Sequence, residues 1–377
     1  MFSFLVVLAL AVPAAAAPLK MERELTEIED LFYDMDFDKA RAAANALASR
    51  HPRHPAGAFY RSVSSYQRWT AEGMHSNDTF RAFETDSATA EKSAKDLMAS
   101  NPAEAHYYMG AALGFRARAH MAQKNFFRAL PNGFAAIKHL KKALALDPTL
   151  SDARLGMGMY HYFAARMPAG AKPLAHLLVG EDADRKLGLS ELWSVAETTG
   201  TARMEARSVL AIILSKDDEA DWVGAEKLLA ELSSRYPHNP IYRLRRAYVA
   251  ERRGDFEAAV ALADPDGDWF ATLHPTVRTP ARAWALYRAA ESRLLQGRAA
   301  ETTGWLALLD RLPHPRGMTD WVLLRRANLL DFQGKTGTAD ELYARIKDKT
   351  PAALAGRFRK ERYPAGPKDA APFFTGY

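Results

Sequence analysis

The chain has no cysteine among its 377 residues. That excludes a disulfide framework, a thiol nucleophile, thiolate metal sites and a lipidated amino-terminal cysteine, and it leaves packing alone to hold the fold. Catalytic signatures are missing too: there is no H-E-x-x-H, no G-x-S-x-G and no S-x-x-K. Gly334-Lys335-Thr336 has the end of a phosphate loop, but Leu329 stands where the first glycine of that loop must be. Asp264-Pro265-Asp266-Gly267-Asp268 has a calcium-loop composition, but Trp269 and Pro275 occupy the positions that need glycine and glutamate. Both stretches read as polar turns. His51 and His54 lie three apart with no further ligand at helical spacing, so no metal and no cofactor is expected. Excess charge of one sign is small. The net is +6, and half of it lies from Ala353 onward, where Arg357, Arg359, Lys360, Arg362 and Lys368 outnumber Glu361 and Asp369. That is far from a nucleic-acid footprint, and this end reads as mobile.

Long hydrophobic runs are equally scarce. The exception is Phe2–Val12, a run without charge that is followed by Ala14-Ala15-Ala16. It is shorter than the ~20 residues of a spanning helix and has the form of a secretory leader with an A-x-A site. We expect residues 1–16 to be a signal peptide cut after Ala16, because Pro18 would obstruct a cut after Ala17. The mature protein would then be periplasmic or secreted and would keep no stable membrane span. No Lys or Arg precedes the run, so retention as an amino-terminal anchor is the alternative.

What the chain does have is a recurring ladder. Gly334, Ala339, Tyr343, Ile346 and Pro351 form its clearest copy. Others are Phe37, Ala40, Ala44, Leu47 and Pro52; then Ala90, Ala94, Leu97 and Pro102; then Ala136, Leu140, Ala143 and Pro148; then Ala225, Leu229, Leu232 and Pro237. Degenerate copies begin at Gly254-Asp255-Phe256 and at Gly297-Arg298, the latter ending near Pro313. Small residues let two helices approach, apolar residues three and four further on keep one face dry, and proline stops the helix. The ladder resembles the second helix of a tetratricopeptide (TPR) hairpin. The resemblance implies an all-α fold, an irregular TPR-like α-α solenoid of about six or seven helical hairpins over residues 17–362. A plain irregular α-α bundle is the alternative. Gly110 and Gly158 mark the crossings of first helices, with Ser62, Ile213, Ala247 and Ala327 as rougher equivalents. The proline spacings of 50, 46, 89, 76 and 38 exceed the ~34 of a standard unit, so helices are lengthened or loops inserted. Residues 166–184 read as a loop with a short helix at 173–179, residues 264–280 as a long connection, and residues 363–377 as a poorly ordered tail.

A stack of this kind offers the side chains of its first helices to a partner on the concave face. The candidate contacts are Tyr60, Tyr107, Tyr160, His161, Arg166, Arg243 and Arg246. The densest segment is Gly156-Met157-Gly158-Met159-Tyr160-His161-Tyr162-Phe163. With the proline-bearing stretch 167–179 and the element Gly180–Leu189, which contains Asp184-Arg185 and Gly188-Leu189, it resembles the middle of the inclusion-body clearance family of TPR-like proteins. There a G-x-G-x-aromatic helix, a proline stretch and G-D-R-x-x-G-L occur in that order; here residues are inserted between Gly180 and Asp184. The resemblance implies helical repeats and carries over no catalytic residue, and that family's intracellular setting conflicts with the leader. The leading expectation is an exported, non-enzymatic scaffold for a protein or peptide partner, with no nucleic acid. A binder of a small apolar or envelope-derived ligand around 156–179 is the alternative, and an enzyme with a site assembled from distant repeats is the third reading. Oligomeric state is not legible.

Overall fold

The computed structural model describes residues 21–166, 183–315 and 317–363. The leader at 1–16, the expected short helix at 173–179 and the tail beyond Tyr363 lie outside the described residues. Among those residues there is no strand, and the helices follow one another in antiparallel pairs. The pairs are α1 (Glu22–Tyr33) with α2 (Phe37–Arg50), α3 (Pro55–Ala71) with α4 (Asn77–Leu97), α5 (Pro102–Ala122) with α6 (Phe126–Leu146), and α7 (Ser151–Ala165) with α8 (Arg185–Ala196). Then come α9 (Arg203–Leu214) with α10 (Trp222–Arg235) and α11 (Pro240–Arg252) with α12 (Phe256–Ala263). After a single turn, α13 (Trp269–Thr272), follow α14 (Pro275–Leu295) with α15 (Ala299–Leu309) and α16 (Thr319–Phe332) with α17 (Thr336–Ala344). Helix α18 (Lys349–Glu361) closes the stack. The protein is an all-α solenoid. The described residues hold eight pairs, one more than the upper count from the ladder, because α7 and α8 pair without a ladder of their own.

Local chemistry explains the punctuation. Pro55, Pro102, Pro240 and Pro275 each open a first helix, where the missing N–H costs nothing. Asp36, Asn101, Asp221, Asn239 and Asp255 cap helices by accepting backbone N–H groups. Within six pairs the residue just before the cap of the second helix is left-handed: Met35, Lys124, Ala220, Gly254, Gly297 and Gly334, with φ between 51° and 81°. Glycine takes that conformation without strain, so only three of the six turns announce themselves in the sequence. The ladder residues Ala40, Ala44, Leu47, Ala225, Leu229, Leu232, Ala339 and Tyr343 are all buried. At Gly110 an added Cβ would lie 2.8 Å from the Leu140 side chain, so the crossing there does require the missing side chain.

Three expectations are corrected. Residues 264–280 are not a long connection: α14 begins at Pro275 and runs through Pro280. Pro131 lies inside α6 in the same way, so that helix starts ten residues ahead of its ladder. Each proline forfeits one backbone hydrogen bond, near the start of a helix of 21 residues, and a helix that long tolerates the loss. The carboxyl-terminal cations are not on a mobile end up to residue 362. Phe358 and Tyr363 are buried against each other, and Arg362 bonds Asp340 at 3.0 Å.

The first six pairs curl until the start of the chain meets α10 and α11. Asn239 Nδ2 donates to the Tyr33 carbonyl at 2.8 Å, Tyr236 Oη donates to Asp30 at 2.7 Å, and the His238 N–H donates to Asp34 at 3.0 Å. One large apolar core runs from Met21 to Ala281 and a second from Ala283 to Tyr363, so α14 belongs to both. No helix of the described residues is long and apolar enough to cross a membrane.

Candidate binding site on the inner face

The curl brings first helices around one interior space. Helix α1 carries the apolar stripe Leu25, Ile28 and Phe32, and Glu29 lies within it. Glu29 accepts the Tyr60 hydroxyl of α3 at 2.8 Å. Glu205 of α9 accepts the Tyr33 hydroxyl of α1 at 2.5 Å and Arg118 Nη1 of α5 at 2.8 Å. Asp152, at the start of α7, accepts the Ala202 N–H at 3.2 Å and the Thr201 hydroxyl. Five first helices thus contribute to one electrostatic cluster.

Its ionisation shows how closed the space is. Burial raises the Glu29 carboxyl well above the usual range, and Asp152 across the space adds to the effect. Burial likewise raises the phenols of Tyr33, Tyr60, Tyr107 and Tyr108, with further contributions from Glu29, Asp152 or Glu205. Glu29 and Tyr107 nevertheless keep some accessible surface. Both are partly exposed residues whose charged forms the surrounding protein nevertheless disfavours. Three carboxylates meet one guanidinium here, so the space is acidic. Tyr108 is 3% exposed as a residue, but its hydroxyl is not among the buried atoms that lack a partner, and no hydrogen bond to it occurs among the described residues. An accessible phenol hydroxyl without a partner is a group that a ligand can satisfy.

Neither a protein-family model nor a curated protein matches the chain. What the chain can do is therefore read from its own geometry.

Of the seven residues singled out from the sequence, Tyr60 and Tyr107 lie at this space. The other five belong to separate contacts. Tyr160 packs outward on the cluster of Ile137, Leu140 and Met157. His161 is buried within its own pair, with Nδ1 2.6 Å from Glu191 of α8. Arg166 bonds Glu219 at 3.3 Å, at the end of α7. Arg243 donates to the Leu262 carbonyl at 2.8 Å and covers the Trp269 ring, and Arg246 pairs with Glu226 at 2.7 Å. Those two arginines are neutralised from neighbouring helices rather than offered to an acidic partner.

Sequence reasoning missed Glu29, Asp152 and Glu205. The signal for Glu29 and Glu205 was a carboxylate inside an otherwise apolar stripe. Two other groupings also appear only in three dimensions. His106 and His139 face each other across α5 and α6, with Nδ1 atoms 2.8 Å apart. Burial lowers both pKa values; His139 and Lys142 add to the effect at His106, and Lys142 adds to it at His139. Lys216 lies 4.7 Å from the Phe163 ring, and desolvation pushes its ammonium down to about 8. No group of three His, Cys, Asp or Glu among the described residues could hold a metal ion. An open cleft of about 1390 Å³ lies at the seam between α1 and α10–α11, but its acids Asp30, Asp34 and Asp36 are bonded to Arg235, His238 and Lys39.

Proposed function

We propose that the chain is a non-enzymatic scaffold of TPR-like hairpins that holds a segment of a protein partner against the inner face of its first helices. The segment would present a lysine or arginine to Glu29 and Asp152 and a hydrogen-bond acceptor to the Tyr108 hydroxyl. The observation that carries this reading is the unbalanced charge around Glu29: three carboxylates and one arginine, with a Glu29 carboxyl whose charged form burial and the neighbouring carboxylates disfavour. A cation would relieve that cost. The resemblance of Gly156–Leu189 to the inclusion-body clearance family supports the same class, helical repeats without catalytic residues.

The test is a pull-down from envelope extract with Glu29→Gln against the unaltered chain. The variant removes the charge and keeps the shape. We expect captured partner to fall by about tenfold, the effect of roughly 1.4 kcal/mol. The fold should gain rather than lose stability at neutral pH. Because the folded pKa of Glu29 is raised, its favourable contribution is present below the ordinary carboxylate range and is lost as pH rises. Glutamine removes that loss, so the two melting curves should diverge from pH 4 towards pH 7. Undiminished capture by the variant would end the reading.

The reading includes export. The mature chain would begin at Ala17, and an intact mass measured on protein recovered from its native compartment should correspond to residues 17–377. A mass that includes residues 1–16 would instead mean a retained anchor.

A further inference from the structure

We propose that the turn between α5 and α6 seats the protein on an anionic lipid surface. The proposal does not depend on the inner-face reading, since the residues involved point away from that space.

The first observation is apolar exposure in one place. Phe127 is 96% exposed, the highest value of any large apolar residue among the described residues, and Phe126, Met121 and Leu130 beside it are also exposed. Four such side chains on one turn are unlike scattered surface leucines, which need no explanation. The second is shape. Helix α6 has 21 residues and α7, which follows it, has 15. At 1.5 Å per residue α6 is about 9 Å longer than α7, and the extra length lies on the side of the α5–α6 turn. The third is charge, and it selects the partner. Helix α6 carries Arg128, Lys138, Lys141 and Lys142 and no acidic residue. At 100° per residue Phe127, Pro131, Lys138 and Lys142 fall within about 60° of one another, so one exposed stripe is apolar at its start and cationic further along. The nearest acids are Glu84, 4.0 Å from Arg128, and Asp348, 3.9 Å from Lys124. Neither engages Lys138 or Lys142. A helix with aromatic residues at one end and unpaired cations along the same stripe matches the boundary between acyl chains and anionic headgroups. An apolar protein groove would use the phenylalanines and leave the lysines without a role.

The test uses the purified chain and sedimentation with vesicles of phosphatidylcholine alone or mixed with phosphatidylglycerol. Binding should require the anionic lipid and should weaken as salt rises from ~0.1 M to ~0.5 M. Phe126→Ser combined with Phe127→Ser should reduce binding by about tenfold or more. Lys138→Glu combined with Lys142→Glu should abolish the preference for anionic vesicles. All four positions are exposed, so circular dichroism should be unchanged. Three outcomes would overturn the proposal: no sedimentation with either vesicle, sedimentation that both double variants leave intact, or a stable dimer in solution that the phenylalanine variant converts to monomer.

Discussion

Arg325→Met should lower the free energy of unfolding at pH 8 by about 3–5 kcal/mol, the cost of stripping one partner from a buried ion pair. Arg325 and Arg288 are each 1% exposed, and Glu251 and Glu291 are fully buried. The four alternate in a ladder. Arg288 bonds Glu251 at 2.8 Å and Glu291 at 2.6 Å, and Arg325 Nε bonds Glu291 at 2.7 Å. Charges balance two against two. Methionine at 325 keeps much of the volume beside Trp321 but leaves two carboxylates to one guanidinium.

The pH dependence gives this prediction a second readout. Burial and the neighbouring Glu291 already push the Glu251 carboxyl up to about 8. A carboxyl raised in the fold contributes stability that is full below its unfolded value and is lost as pH rises through about 8. Removing a cation extends that trend, so the deficit of the variant should be larger at pH 8 than at pH 5. Adding Glu291→Gln should restore most of the loss. The ladder joins α11, α14 and α16, and therefore the two apolar cores. Hydrogen exchange should locate the weakened region in α14–α18 and spare α1–α8, because a stack couples mainly through neighbours. A deficit under ~1 kcal/mol at pH 8 in urea unfolding would mean that the ladder does not hold the seam.

The parts of this molecule that were legible in its sequence are those decided within about fifteen residues. Ala339, Tyr343 and Ile346 pack as the ladder requires, and Pro102 opens its helix while Pro148 and Pro237 lie between helices. Gly254, Gly297 and Gly334 mark turns because there a glycine takes the left-handed position; Met35, Lys124 and Ala220 occupy the same position silently. Pro275 and Pro280 misled because proline clusters usually signal connections, and here the first of them is a helix start. The inner face was legible only in part. Tyr60 was among the candidate contacts, but its partner Glu29 lies on another helix. That α1 returns to Tyr236 and Asn239, some two hundred residues on, follows from the summed rotation of the pairs, which no local pattern encodes. Arg243 and Arg246 show the converse: the acids that pair with them, Asp264 and Glu226, come from adjoining elements and could not be placed beside them from the sequence.

Gly188→Ala should destabilise the fold by about 1–3 kcal/mol, whereas the same substitution at Gly304 should stabilise it by about 0.5–1 kcal/mol. Both glycines lie inside helices, α8 and α15, so helix propensity alone favours alanine at each. The surroundings decide the sign. A Cβ at Gly304 would meet nothing within 4 Å, but one at Gly188 would lie 2.7 Å from the Gly158 carbonyl oxygen and 2.9 Å from Tyr162 Cα. Both neighbours are backbone of α7, so no side chain can rotate away and the helices must part. Gly158 faces Gly188 in turn: its own Cβ would lie 3.1 Å from the Gly188 oxygen and 3.0 Å from the Leu192 side chain. Two glycines therefore let α7 and α8 approach more closely than alanine would allow. Separation would also stretch the buried contact between His161 and Glu191 and shift Asp152 at the start of α7. Gly188→Ala should thus weaken partner capture as well as stability, while Gly304→Ala leaves capture unchanged. Equal effects of the two substitutions on thermal unfolding would show that α7 and α8 are not held at this distance in solution, and the acidic interior would lose the wall that Asp152 provides.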